Sequence, residues 1–379
     1  MEPQAKQLIG RNLKLAREMA GLSQEDFCDR LGVSRATLSA IENGHVAIDS
    51  ARLLLAAKVL GRPVGDFFKE QKEELCLLYR AAEDVVPSSD IRTQFRILCE
   101  GYKELEMIVG VADAILSPPE YQFLPSFQSR PLHFAEQVAI SERERLGLGQ
   151  LDPIPNIFKL LDSNGVRVFA LPIEQNGVFG LSAFSPHFGP CVVVNNKNTT
   201  ERCVFTLAHE YGHLLMHRNL YVNHDPAKER NKEVEDMADT FAGHFLVPEA
   251  GLRDIYAKSV GTKDTRPEDV IFLKHHFRVS FKMMSRRLKD TKFISESTHA
   301  DLLAKAKTWE QDDKKEPAPL PIDLVKSWQS ACRFLHLARK AVTEGMISLG
   351  KLAELIGQNI LETRNLVQSW RKELSLAPA

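Results

Sequence analysis

His209-Glu210-Tyr211-Gly212-His213 sets two imidazoles four residues apart with a carboxylate between them. Phe205, Thr206, Leu207 and Ala208 lead into this run and Leu214, Leu215 and Met216 follow it, an apolar setting that predicts a buried helix. Positions four apart share a helix face, so His209 and His213 can offer ring nitrogens to one metal ion. Glu210 sits one position round, where a carboxylate can activate water without being a ligand. Ordinary residue frequencies give H-E-x-x-H by chance in roughly one chain of this length in a hundred, so two unrelated surface histidines are a weak explanation.

Two histidines hold zinc poorly, and the test is a third ligand. The metzincin pattern HExxHxxGxxH is excluded, because Met216 takes the glycine position and Asn219 the last histidine position. His217, one turn beyond His213, competes with His209 for geometry. A second helix is predicted around Glu235–Pro248, with an apolar face at Ala238, Phe241, Ala242 and Phe245 and Pro248 at its end. Glu235 and Asp239 lie one turn apart at the edge of that face. Glu235 can complete a His-His-Glu triad that leaves a fourth position for water. Asp239 can accept the second ring N–H of a ligating histidine and fix its tautomer. Glu210 can then take a proton from water and return it to a leaving amine. These parts describe a hydrolase site; a structural or degenerate metal site is the alternative. The donor set suits zinc, with manganese as the second choice.

Val166–Pro172 and Cys191–Asn195 are apolar, β-branched runs bounded by Gly, Pro and Asn, hence strands. A short sheet beside the active-site helix offers an edge to which an extended peptide can add; a plain core sheet is the other reading.

Arg202 through His213, then Glu235-x-x-Ala238-Asp239-x-Phe241-Ala242 and Leu246-Val247-Pro248, resembles the ImmA/IrrE metallopeptidase family. The resemblance runs from Ala135 to Leu288 and takes in Val138-Ala139, Leu146-Gly147-Leu148 and Phe277-Arg278-Val279-Ser280. It implies a minimal zincin fold and a soluble, narrowly specific protease that cleaves helix-turn-helix repressors. Met237 and His244 depart from the family pattern, standing where acidic residues are common. His244, Tyr221 and His224 are candidate transition-state donors, each with a packing or surface role as the plainer reading.

The N-terminal stretch carries separate signals. Ile9 to Ala20 has helical apolar spacing at Ile9, Leu13, Leu15 and Ala16 and ends at Gly21. Ser23 caps a helix from Gln24 to Leu31 that Gly32 terminates, and Ser34 caps another from Arg35 to Glu42, closed by Asn43-Gly44. Two short helices joined in this way form a helix-turn-helix unit. Gly21-Leu22-Ser23-Gln24 and Leu31-Gly32-Val33-Ser34-Arg35 resemble the Xre/Cro-type repressor family. That resemblance implies double-stranded operator DNA, with Gln24 and Asn43 gripping phosphates and Ser34, Arg35, Thr37 and Ser39 facing base edges. Leu38 and Ile41 fall on the core side, and Arg35 is the residue best able to hold a guanine in two places. Acids nearly balance bases here, so non-specific affinity is expected to be modest and salt-sensitive. Homodimerisation would compensate; a unit used only for protein contacts is the alternative.

The chain has 379 residues and a formal net charge of −1, enough length for two or three domains. No apolar signal core follows Met1, and no stretch approaches a membrane span, which predicts a cytoplasmic protein with no membrane partner. Six cysteines (28, 76, 99, 191, 203 and 332) lack C-x-x-C spacing and fit a reducing compartment. The expected fold class is mainly α with a small β-sheet (α+β). The expected order is an all-α helix-turn-helix domain over 1–70, a helical connector over 71–130 and a zincin-like α+β domain over 131–290. A linker over 291–322 and a C-terminal helical segment over 323–379 follow. Phe95, Leu98, Tyr102, Leu105 and Val109 have heptad-like spacing, which serves either a dimer seam or packing on the chain's own protease domain. Ser348–Ala353 echoes a second helix-turn-helix, although a sensory or partner-binding cap is the preferred reading of the tail.

Together these features predict a DNA-binding regulator with a fused zinc-dependent endopeptidase. Its substrate would be a regulatory protein, a repressor or the chain itself, cut to switch gene expression under stress. The alternative is a non-proteolytic Xre-type regulator or antitoxin-like protein whose zincin fold senses a metal or ligand. Glu210 favours the enzyme, because a sensor needs ligands but no general base.

Overall fold

The computed structural model describes residues 3–20, 22–68, 77–81, 85–112, 116–124, 127, 129–223, 231–261, 264–309 and 316–376. These fall into two units, 1–74 and 75–379, each with its own apolar core. Together they form mainly helices with one small sheet, the α+β class that the sequence pattern predicts.

The first unit contains α1 (Pro3–Met19), α2 (Gln24–Leu31), α3 (Arg35–Glu42), α4 (Ser50–Leu60) and a 3₁₀ turn (Val64–Phe68). Ser23 Oγ accepts from Asp26 N at 3.0 Å to start α2, and Gly32 in the left-handed region ends it. Ser34 Oγ accepts from Thr37 N at 3.1 Å to start α3. Ile9, Leu13 and Ala16 of α1 pack on Phe27, Leu31, Leu38 and Ile41. A Cβ at Gly10 would stand 2.1 Å from the Ile41 carbonyl oxygen, so only glycine lets α1 cross the end of α3. A buried ion pair, Arg17 Nε to Glu42 Oε1 at 2.7 Å, joins the same two helices.

The second unit begins with β1 (Leu77–Ala81), α5 (Ser89–Val109), α6 (Pro131–Arg145) and α7 (Ile157–Asp162). Then come β2 (Arg167–Leu171), β3 (Val178–Ser185), β4 (Gly189–Asn195), α8 (Thr200–Met216), α9 (Leu220–Asn223) and α10 (Lys232–Leu246). It continues through α11 (Glu249–Ser259), α12 (Pro267–Phe277), α13 (Phe281–Asp290) and α14 (Glu296–Trp309). It closes with α15 (Leu324–Gln329), α16 (Arg333–Thr343), α17 (Leu349–Ile356) and α18 (Ile360–Leu376). The sheet order is β1-β3-β4-β2, antiparallel except for the β2–β4 pair. Val192, Val193 and Val194 of β4 are fully buried, as a central strand covered on both faces requires. Thr199 caps α8, which lies on β3 and β4 and packs along α10. Gly180 allows that approach, since a Cβ there would reach 2.5 Å from Thr206 Cγ2.

Three segments differ from the sequence expectation. The stretch expected as a helical connector supplies a strand, β1, because the free edge of β3 satisfies its backbone along Leu77–Ala81. The α5 seam is covered within the chain: Phe95 and Tyr102 meet Phe169 of β2, and Tyr102 meets Phe334 of α16 at 5.0 Å. The stretch expected as a linker holds α14. Its end is tied down, with buried Lys274 Nζ paired to Glu316 at 2.9 Å and donating to the Pro317 and Ala318 carbonyls. Residues 310–315 of the expected linker, and Cys76, lie outside the described residues; Cys28, Cys99, Cys191, Cys203 and Cys332 are buried and free. No helix among the described residues is long and apolar enough to cross a membrane.

Candidate functional site

On α8, residues 209 and 213 face α10, and Gly212 sets how close the two helices come. A Cβ on Gly212 would stand 2.9 Å from Phe241 Cδ1. Tyr211, the other intervening residue, is buried and donates its hydroxyl proton to Glu142 of α6, which anchors α8 on its far side. At the crossing, His209, His213 and Glu235 bring one donor atom each to within 4.8 Å of one another. His209 Nε2 and His213 Nε2 are 3.1 Å apart, and the Glu235 oxygens lie 3.5 and 3.6 Å from them. An ion with tetrahedral bonds of about 2.0–2.1 Å spaces its ligands by about 3.3–3.4 Å, which these separations match.

The second nitrogens are also committed. His209 Nδ1–H donates to Asp239 Oδ1 at 2.8 Å. His213 Nδ1 faces His217 Nδ1 at 3.0 Å. In the tautomer with Nδ1 donating in both rings, the two Nε2 lone pairs point at one space, an arrangement suited to a shared cation. Arg80 of β1 stacks over the Phe205 ring at 4.3 Å and reaches Asp239 Oδ1 at 3.7 Å, so the sheet edge holds the carboxylate that orients His209. Burial opposes a charge on His209, but its bonds to Asp239 and Glu235 outweigh that and raise it above the usual histidine range. Burial, with the nearby positive charge of His209, pushes His213 well below that range.

Glu210 is fully buried beside this cluster. Ser182 of β3 donates its hydroxyl proton to Glu210 Oε2, and Tyr221 of α9 in turn donates to Ser182 Oγ at 2.7 Å. Glu210 Oε1 is buried with no hydrogen-bond partner among the described residues. Burial lifts the carboxyl above the ordinary glutamate range, against the pull of His209 and of the Ser182 bond. A buried carboxylate with one oxygen fixed and one unbonded is arranged to exchange a proton.

Of the three candidate donors, Tyr221 lies beside the cluster and His244 is engaged by other side chains. Tyr221 hands its hydroxyl to Ser182 and is buried. His244 faces Glu136 at 3.7 Å and Arg287 at 3.2 Å, and burial, helped by the Arg287 charge, lowers it to about 3. His224 lies outside the described residues. Spacing rules did not reveal Ser182, Arg80 or the orienting role of His217. Ser182 and Arg80 come from separate strands, and the spacing of His217 suggests a ligand rather than an orienting partner.

On the first unit, Ser34, Arg35, Thr37 and Asn43 are exposed along α3 and its end, and Ser39 is half-buried. Ser34 is occupied as a cap, and Asn43 Nδ2 donates to the Ser39 carbonyl at 2.8 Å. Gln24 Nε2 donates to Glu42 Oε2 at 2.8 Å, which places its side chain between α2 and α3. Leu38 and Ile41 are buried.

Comparison with curated proteins gives no match. Among solved structures, PlcR of Bacillus thuringiensis in complex with the peptide PapR7 and DNA is 15% identical, over 90% of this chain and 99% of that one, with a TM-score of 0.18. The apo competence regulator ComR from Streptococcus vestibularis is 12% identical over 90% and 99%, with a TM-score of 0.16. ComR from S. thermophilus with DNA and its signalling peptide ComS is 13% identical over 91% and 99%, also at 0.16. Family models match two segments, one described as helix-turn-helix over residues 13–67 and one as IrrE N-terminal-like domain over 161–289. The chain therefore joins a helix-turn-helix segment to an IrrE N-terminal-like segment, the fusion that its motifs predict.

Proposed function

We propose that this chain is a DNA-binding regulator whose IrrE-like domain is a zinc-dependent endopeptidase, cutting a regulatory protein, either a repressor or the chain itself. The observation that carries the reading is Glu210: a purely structural or sensing metal site has no use for a buried carboxylate with an unbonded oxygen at its rim. His209, His213 and Glu235 would hold the zinc, with manganese as a weaker fit to two imidazoles. A bound zinc supplies Lewis acidity at the scissile carbonyl and makes water acidic enough to deprotonate near neutral pH. Glu210 Oε1 takes the proton of the attacking water and delivers it to the leaving amine nitrogen. Ser182 keeps Oε2 occupied, so the proton moves at one defined oxygen. Asp239 and His217 keep the two histidine rings turned inward. In the first unit, the exposed face of α3 would read operator DNA, with Arg35 toward a guanine edge.

Glu210→Gln is expected to keep metal and DNA binding while lowering cleavage by about 10²–10⁴-fold. Incubating purified wild type and variant, metal-loaded, with candidate repressor substrates and following fragments by mass spectrometry measures this. Equal fragment yields, or no fragments from either together with equal repression in cells, would overturn the enzyme reading in favour of sensing.

A further inference from the structure

The α17–α18 pair repeats the α2–α3 pair bond for bond, displaced along the chain by 325 positions. Ser23 and Ser348 each cap a helix of eight residues, accepting from Asp26 N at 3.0 Å and from Lys351 N at 3.1 Å. Each helix ends on a left-handed glycine, Gly32 at φ 63° and Gly357 at φ 64°. The closing bonds agree: Val33 N to Cys28 O at 3.1 Å, and Gln358 N to Ala353 O at 3.0 Å. After a two-residue turn, Leu38 N bonds Ser34 O at 2.9 Å, and Thr363 N bonds Asn359 O at 3.0 Å. Burial follows the same register, Phe27 with Leu352, Cys28 with Ala353, Leu31 with Ile356, Leu38 with Thr363 and Glu42 with Val367. A turn fixed by these caps, with the same positions turned inward, gives α18 the place of a recognition helix.

From these matches we propose that α17 and α18 form a second helix-turn-helix that binds double-stranded DNA, with a sequence preference different from that of α3. The outer face of α18 carries Glu362, Arg364, Asn365 and Gln368, all exposed. Arginine pairs with guanine, Asn and Gln with adenine, and Glu with the cytosine amino group. Ile360 and Leu361 stand 47% and 68% exposed at the start of the helix, where apolar side chains meet thymine methyls. Residues 333–376 hold seven Lys and Arg against four Asp and Glu, a basic balance suited to a phosphate backbone. The pair is also held firmly from behind. Gly101 of α5 would put a Cβ 2.3 Å from the Leu355 carbonyl oxygen, and Lys351 pairs with Glu104 of α5 at 2.8 Å.

The test uses the full-length chain, a pool of random-sequence DNA duplexes and a salt titration. Three forms are compared: Arg35→Glu, Arg364→Glu with Asn365→Ala, and all three substitutions together. The α3 variant is expected to retain salt-dependent duplex binding, and adding the α18 substitutions to weaken it about tenfold or more. Selection with the α3 variant should enrich a motif that the α18 variant fails to enrich. The α18 substitutions sit on exposed positions, and Leu361→Ser provides an independent variant with the same expected loss. Should both α18 variants match the parent at every salt concentration, the pair does not read DNA, and Ile360 and Leu361 belong to a protein contact. Complete loss of duplex binding with the α3 change alone would also overturn the proposal, because a second DNA-binding pair should still hold duplex at low salt.

Discussion

Asp239 and His217 divide one task between them, each holding the outer nitrogen of one imidazole so that the inner nitrogens converge. They do it with different chemistry. Asp239 is a carboxylate kept charged by its bond to His209, which outweighs the cost of burial. His217 is a neutral ring that burial lowers to about 4, and its Nε2 is buried without a hydrogen-bond partner among the described residues. A carboxylate makes its histidine more basic, whereas a neutral imidazole mainly fixes orientation. Asp239→Ala is therefore expected to weaken metal affinity about 10–100-fold, and His217→Ala to weaken it less, with both chains folded. Competition against a chromogenic chelator measures both; equal affinities for Asp239→Ala and wild type would remove Asp239 from the site.

Two helices crossing at a glycine set the distances within the site. Gly212→Val is expected to cost about 1–3 kcal/mol through overpacking against Phe241, and to loosen metal binding as α10 moves and carries Glu235 with it. Phe241→Leu in the same chain should return part of both losses, and a double-mutant cycle by urea unfolding gives the coupling. Independent losses would mean that the helices do not touch as described. Much of this level was legible in the sequence, because it is local: i, i+4 spacing groups His209 with His213, and the apolar period turns Glu235 and Asp239 to one side of α10. Capping serines and left-handed glycines likewise marked both ends of α2. The rest was not legible for an equally physical reason. Leu77–Ala81 becomes a strand through pairing with β3, about a hundred residues on, and a short run such as Leu-Leu-Tyr-Arg-Ala carries no turn signal of its own. Ser182 meets Glu210 only because α8 packs across β3, so nothing near the H-E-x-x-H run announces it.

At the scale of the second unit, the C-terminal helices are fastened to the sheet through buried charge. Glu106 of α5 takes Arg167 of β2 on one oxygen at 2.5 Å and Arg333 of α16 on the other. Asp162 of α7 accepts from Tyr102 and Trp328 at 3.2 Å and from Arg333 N at 2.9 Å. Glu106→Ala strands two arginines, and losing one partner of a buried pair costs about 3–5 kcal/mol. The expected results are a lower denaturation midpoint and faster amide exchange over residues 333–376; an unchanged midpoint would show the network to be dispensable. The same unit begins with β1, which follows directly on residues 69–76, the covalent bridge from the first unit. A scission between residues 69 and 76 would sever the chain of the first unit from β1 and leave all four strands of the sheet in one piece. A scission just after Ala81 would detach the edge strand and withdraw Arg80 from beside Asp239. If the second unit is the self-cutting peptidase proposed above, the position of the cut decides whether its site outlives the first turnover or is dismantled by it.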